Sequence, residues 1–76
     1  MDKDTFINNV REQFIDPEDI TLEMSSEFRQ IDSYDSLTGM TIMVMIKDVY
    51  NIDITESEYR SKKTIQELYD FVILNK

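Results

Sequence analysis

The sequence predicts an all-α fold: a small four-helix bundle of three main helices plus one short helix, with a long loop between the first two. Three observations carry that expectation. Apolar residues recur at helical spacing in three stretches. Two Thr-x-x-Glu signatures stand close together near the C-terminus, and a polar stretch over residues 16–34 separates the first helical pattern from the second. No internal repeat, low-complexity segment or composition break divides the chain, so residues 1–76 read as a single domain.

The first helix is expected over residues 4–15, where Phe6, Ile7, Val10, Phe14 and Ile15 form an apolar face. Asp16 then offers a cap and Pro17 a first position for a short turn. Residues 16–34 are long for a bundle connection. Leu22, Met24, Phe28 and Ile31 predict that this segment is pinned to the core rather than free. A second helix is expected over residues 36–50, followed by a short extended link, Asn51-Ile52-Asp53-Ile54. Thr55-x-x-Glu58 and Thr64-x-x-Glu67 are capping boxes, in which Thr and Glu each satisfy a free backbone N–H. Their spacing leaves room for one short helix and then a fresh start. The last helix places Ile65, Leu68, Tyr69 and Val72 on one face.

The second helix carries two apolar faces. At about 100° per residue, Ile42, Met43, Ile46, Val49 and Tyr50 share a broad face, while Leu37, Met40 and Val44 fall nearly opposite. A surface helix needs one apolar face to bury. The second stripe is explained either by a helix buried all round or by a partner-docking surface at i, i+3, i+7 spacing. Four helices in 76 residues rarely enclose one of their own members, which favours docking. Gly39 lies on the core side. It costs about 1 kcal/mol relative to Ala in a helix interior, so it marks either a close contact or tolerated chance. At the helix start, Asp35 or Ser36 is suited to be the N-cap.

Composition narrows the function. Sixteen Asp and Glu against eight Lys and Arg give a net charge of -8, which argues against nucleic acid or anionic membrane as partner. With no Cys and no His, the chain lacks a thiolate nucleophile, the usual general base near neutral pH and the commonest metal ligand. An enzyme acting alone is therefore not expected. No apolar run reaches the roughly 18–20 residues of a spanning helix, and the start, Met-Asp-Lys-Asp, is not a cationic secretory signal, so a cytoplasmic protein without membrane insertion is expected.

Asp35-Ser36-Leu37 closes a long loop and opens the doubly apolar helix near the middle of an acidic four-helix chain. With Phe28, Val49-Tyr50, Asn51-Ile52-Asp53-Ile54 and Thr64-Ile65-Gln66 in place, the sequence resembles the acyl carrier protein family, including its peptidyl and aminoacyl carriers, over essentially its whole length. The resemblance implies a non-catalytic carrier. Ser36, flanked by Asp35 and Leu37, would hold 4′-phosphopantetheine transferred from coenzyme A by a separate phosphopantetheinyl transferase. The cargo would be an acyl intermediate of fatty-acid, polyketide or related biosynthesis, presented as a thioester to acyl-loading and acyl-using enzymes by a monomeric carrier. An aminoacyl or peptidyl cargo, or an unmodified helical adaptor that keeps only the docking surface, are the alternatives. The implied docking surface comprises Leu37, Met40, Thr41, Val44, Lys47 and Asp48. The implied acyl pocket comprises Ile46, Ile54, Tyr59 and Leu68, for which ordinary core packing is the competing role.

The sequence departs from the usual fatty-acid carrier at several positions. Asp32-Ser33-Tyr34 stands where Leu-Gly and a small residue are typical, Tyr59 replaces a small residue and Lys62 an apolar one. Thr38, Thr41 and Lys47 occupy positions that are commonly acidic. Residues 1–35 hold 10 acids against 3 bases, whereas residues 36–76 hold 6 against 5. The charge thus sits away from the helix expected to meet partners, and docking is expected to rest on apolar contact more than on salt-sensitive attraction.

Overall fold

Residues 2–76 are described in a computed structural model of the chain, and each of its four helices begins where a side chain caps it. Helix α1 (Lys3–Arg11) starts at Asp2, whose carboxylate accepts from the Thr5 N–H at 3.2 Å and the Thr5 hydroxyl at 2.8 Å. It buries Phe6 and Val10. The helix stops before the sequence pattern does. The chain leaves the helix through two tight turns, Gln13 N–H to the Val10 carbonyl and Phe14 N–H to the Arg11 carbonyl, each 3.0 Å. Phe14 still turns inward, but Ile15, expected on the core face, is 88% exposed.

The connection to the second helix contains 3-10 turns at Pro17–Asp19 and Phe28–Gln30. Pro17 opens the first of them, while the Asp16 side chain caps nothing. Leu22 and Phe28 are buried and Met24 and Ile31 pack partly against the core, so the segment is pinned as expected. It is also stitched to the start of α4: Ile65 N–H donates to the Ser26 carbonyl at 3.1 Å and Gln66 N–H to the Met24 carbonyl at 2.8 Å. These are first-turn N–H groups that no helix satisfies internally.

Helix α2 (Ser36–Tyr50) matches its expected bounds. It ends at Asn51 in the left-handed conformation (φ 58°, ψ 40°), which Asn tolerates better than most residues, with Asn51 N–H donating to the Lys47 carbonyl at 2.9 Å. Helices α1 and α2 run antiparallel. Asn9 donates to the Tyr50 hydroxyl at 2.9 Å at one end, and the Phe14 and Tyr34 rings lie 6.2 Å apart at the other. The link after α2 alternates, with Ile52 and Ile54 buried and Asp53 outside, paired with Lys47 at 3.2 Å. Helix α3 (Glu56–Arg60) and helix α4 (Ile65–Leu74) both begin with complete capping boxes, Thr55 with Glu58 and Thr64 with Glu67. Ile65, Leu68, Tyr69 and Val72 of α4 all face the core.

The inner face of α2 consists of Thr38, Gly39, Ile42, Met45 and Ile46. Met45 joins that face, whereas Val49, expected there, is 55% exposed. Four short helices cover only part of the circumference of α2, and its last turn is left open at Val49. Among the described residues, no helix is long and apolar enough to cross a membrane.

Candidate functional site

The site begins at the start of α2. Asp35, in extended backbone, is the N-cap: its carboxylate accepts from the Thr38 N–H at 2.8 Å and from the Thr38 hydroxyl at 3.0 Å. The backbone bond from Thr38, then its hydroxyl, hold the Asp35 carboxyl below its ordinary range, so Asp35 remains an anion. This settles which of the two residues caps the helix. Ser36 is the first helical residue, exposed, and its hydroxyl makes no hydrogen bond among the described residues. An unengaged hydroxyl thus stands at the N-terminus of a 15-residue helix, where the dipole favours a negative charge.

An open groove of about 670 Å³ runs from Ser36 between α2 and α3. Its outer wall is Met40, Met43 and Val44, and its charged rim is Arg29, Glu56 and Arg60. The rim is internally matched. Arg29 donates to the Tyr59 carbonyl at 3.2 Å and the Arg60 carbonyl at 3.0 Å, and Arg60 pairs with Glu56 one turn away. Arg29 also stacks over the rings of Phe28 and Tyr59. The inner wall is Gly39, Tyr34 and Tyr59. The two phenol oxygens share a hydrogen bond of 3.0 Å, and both rings pack on Phe28. Burial, then the bond to Tyr34, push the Tyr59 hydroxyl far above its usual range, so it stays neutral.

Of the four residues expected to form an acyl pocket, only Tyr59 borders this groove. Ile46, Ile54 and Leu68 are buried in the core. Lys62, on an ordinarily apolar position, lays its ammonium 5.3 Å from the centre of the Phe71 ring.

The other face of α2 is a second, shallow groove that gathers Leu37, Met40, Thr41, Val44 and Asp48 with Gln13, Met45 and Val49. Leu37, Met40 and Val44 are 65%, 62% and 56% exposed, a continuous apolar stripe on the surface. Thr41 turns its hydroxyl back to the Thr38 carbonyl at 2.9 Å. Lys47 is drawn away toward Asp53 and does not border the groove. The contribution of Gln13 and Val49 was not legible in the sequence, because neither belongs to the i, i+3, i+7 stripe.

Comparison with curated proteins gives no match. The model of one family, described as the phosphopantetheine attachment site, matches residues 9–72, which takes in α2, α3, both grooves, the end of α1 and most of α4. The chain belongs to that family, a carrier domain of the acyl carrier protein type whose members are non-catalytic and bear a covalently bound 4′-phosphopantetheine group.

Proposed function

We propose that the protein carries acyl intermediates as thioesters on 4′-phosphopantetheine attached to Ser36, and presents them to enzymes of a biosynthetic pathway. The observation that carries this reading is the division of labour at the helix start. Asp35 does the capping, which leaves the Ser36 hydroxyl exposed and unbonded on the rim of a groove. The residues fit the group. A phosphodiester on Ser36 would stand at the N-terminus of α2, where the helix dipole favours an anion, and the arm would have a groove with an apolar wall to follow. When bound, the group supplies the reactive thiol that a chain without Cys lacks.

A phosphopantetheinyl transferase supplies the arm. The Ser36 oxygen forms the new bond to the phosphorus bearing the pantetheine, the pyrophosphate bond of coenzyme A breaks, and adenosine 3′,5′-bisphosphate leaves while the hydroxyl proton passes to a base of the transferase. This chain contributes only the hydroxyl and its surroundings. Docking of the transferase and of the acyl-loading and acyl-using enzymes rests on Leu37, Met40 and Val44, with Thr41, Lys47 and Asp48 around them. The carrier works as a monomer in the cytoplasm. Incubation with coenzyme A and a broad-specificity transferase, read by intact mass, tests the proposal. One arm on the wild type and none on Ser36→Ala is expected; no gain, or the same gain on both, overturns it. The intact mass of protein taken from its native host then distinguishes an acyl from an aminoacyl cargo.

A further inference from the structure

We infer that Tyr34 and Tyr59 form a plug that keeps a chain carried on Ser36 out of the helical interior and lays it in the surface groove, which suits this carrier to short cargo rather than long aliphatic tails. The inference rests on the attachment proposed for Ser36, and its grounds are geometric. The route inward from Ser36 is faced by Gly39, Tyr34 and Tyr59, whereas Ile46, Ile54 and Leu68 do not border the groove at all. Tyr59 is 4% exposed, its ring lies 5.6 Å from that of Phe28, and its hydroxyl is bonded to Tyr34. Tyr34 is held in turn between Phe14 and Phe28, each ring 6.2 Å away.

Opening a passage between the two rings breaks their hydrogen bond and leaves a buried hydroxyl without a partner. The backbone behind Tyr59 is also fixed, because Arg29 donates to the carbonyls of Tyr59 and Arg60 and so clamps the end of α3. Outside, the groove offers the apolar side chains of Met40, Met43 and Val44. Its border also carries Arg29, Asp35, Glu56 and Arg60, charged groups at which a long saturated chain gains no apolar contact. With no passage inward and charged groups bordering the open groove, a cargo of few carbons fits better than a long aliphatic tail.

The experiment uses the full chain loaded from octanoyl-coenzyme A by a broad-specificity transferase. Loading is first confirmed by intact mass, and methyl and amide chemical shifts are then compared with those of the protein loaded from coenzyme A. In the wild type, shifts are expected at Gly39, Met40, Met43 and Val44, and none at Ile46, Ile54 or Leu68. In Tyr59→Ala, and to a smaller extent in Tyr34→Phe, the octanoyl chain is expected to move the resonances of Ile46 and Leu68. Octanoyl-dependent shifts at Ile46, Ile54 and Leu68 of the wild type overturn the plug while leaving the attachment intact. A protein that takes no arm at all overturns the attachment, and the plug with it. The wild-type comparison stands alone if Tyr59→Ala does not fold.

Discussion

A Cβ built on Gly39 would lie 2.5 Å from the hydroxyl oxygen of Tyr34, closer than any real contact permits, with Tyr59 Cε2 at 3.6 Å behind it. The one glycine of the chain is therefore what lets the Tyr34 hydroxyl reach Tyr59 across the face of α2. Helix propensity alone favours Gly39→Ala by about 1 kcal/mol. Displacing Tyr34 breaks its bond to a buried hydroxyl, which costs about 1–3 kcal/mol. A net loss of about 1 kcal/mol is expected for Gly39→Ala. In the double variant with Tyr34→Phe the offending atom is gone, so adding Gly39→Ala to Tyr34→Phe should do less harm than adding it to the wild type. A double-mutant cycle in urea measures the coupling, and strict additivity would refute the contact.

The two neighbours at the start of α2 should separate in stability. Because Asp35 holds the cap, Asp35→Ala is expected to lower the melting temperature by several degrees, and Ser36→Ala to leave it nearly unchanged. Thermal unfolding of both variants decides it. An equal loss for the two would mean that the Ser36 hydroxyl supports the helix after all.

Acid should unfold the protein through its caps. Asp2, Asp35, Glu58 and Glu67 all have carboxyls held below their ordinary values, chiefly by bonds from Thr5, Thr38, Thr55 and, for Glu67, the backbone of Lys63 and Thr64. A carboxyl that is more acidic folded than unfolded binds its proton first in the unfolded state. Its contribution is present in full above the ordinary values of 3.8 and 4.5 and is lost as pH falls through the lower folded value. Glu67→Gln is therefore expected to be less stable than the wild type at about pH 6 and to converge with it near about pH 3. Urea midpoints across that range give the test; parallel curves would contradict it.

Recognition by the transferase should be apolar. Met40→Ala or Leu37→Ala removes a side chain whose burial is worth about 1.5–3 kcal/mol, so kcat/KM for arm transfer is expected to fall about tenfold or more. Lys47→Ala should have little effect, since Lys47 is turned toward Asp53. Raising the salt from about 0.1 M to about 0.5 M should change the rate by less than either apolar truncation. A steep fall with salt would show that charge, not the stripe, governs docking.

Local sequence rules carried far along the backbone. Both capping boxes form, α2 has its expected bounds, and Asn51 ends it, because each of these depends on residues within one turn of each other. The outer stripe of Leu37, Met40 and Val44 was also legible, since periodicity fixes which residues share a face. The pattern failed at two helix ends: α1 stops at Arg11, short of Ile15, and the last turn of α2 is left open at Val49 because no element covers it.

By itself the sequence determined that four helices form, the capping boxes at Thr55 and Thr64 and the place of the Ser36 hydroxyl at a helix start, because these follow from contacts three or four residues apart. Only the tertiary structure decided what lies beside that hydroxyl. The Tyr34–Tyr59 bond joins residues 25 positions apart, the Arg29 clamp spans 30 and 31, and the loop carbonyls of Met24 and Ser26 meet α4 from across the fold. No periodicity encodes such meetings, since they arise only when packing brings separate helices together. The sequence marked Tyr34 and Tyr59 as departures from the family pattern; the fold made them one wall.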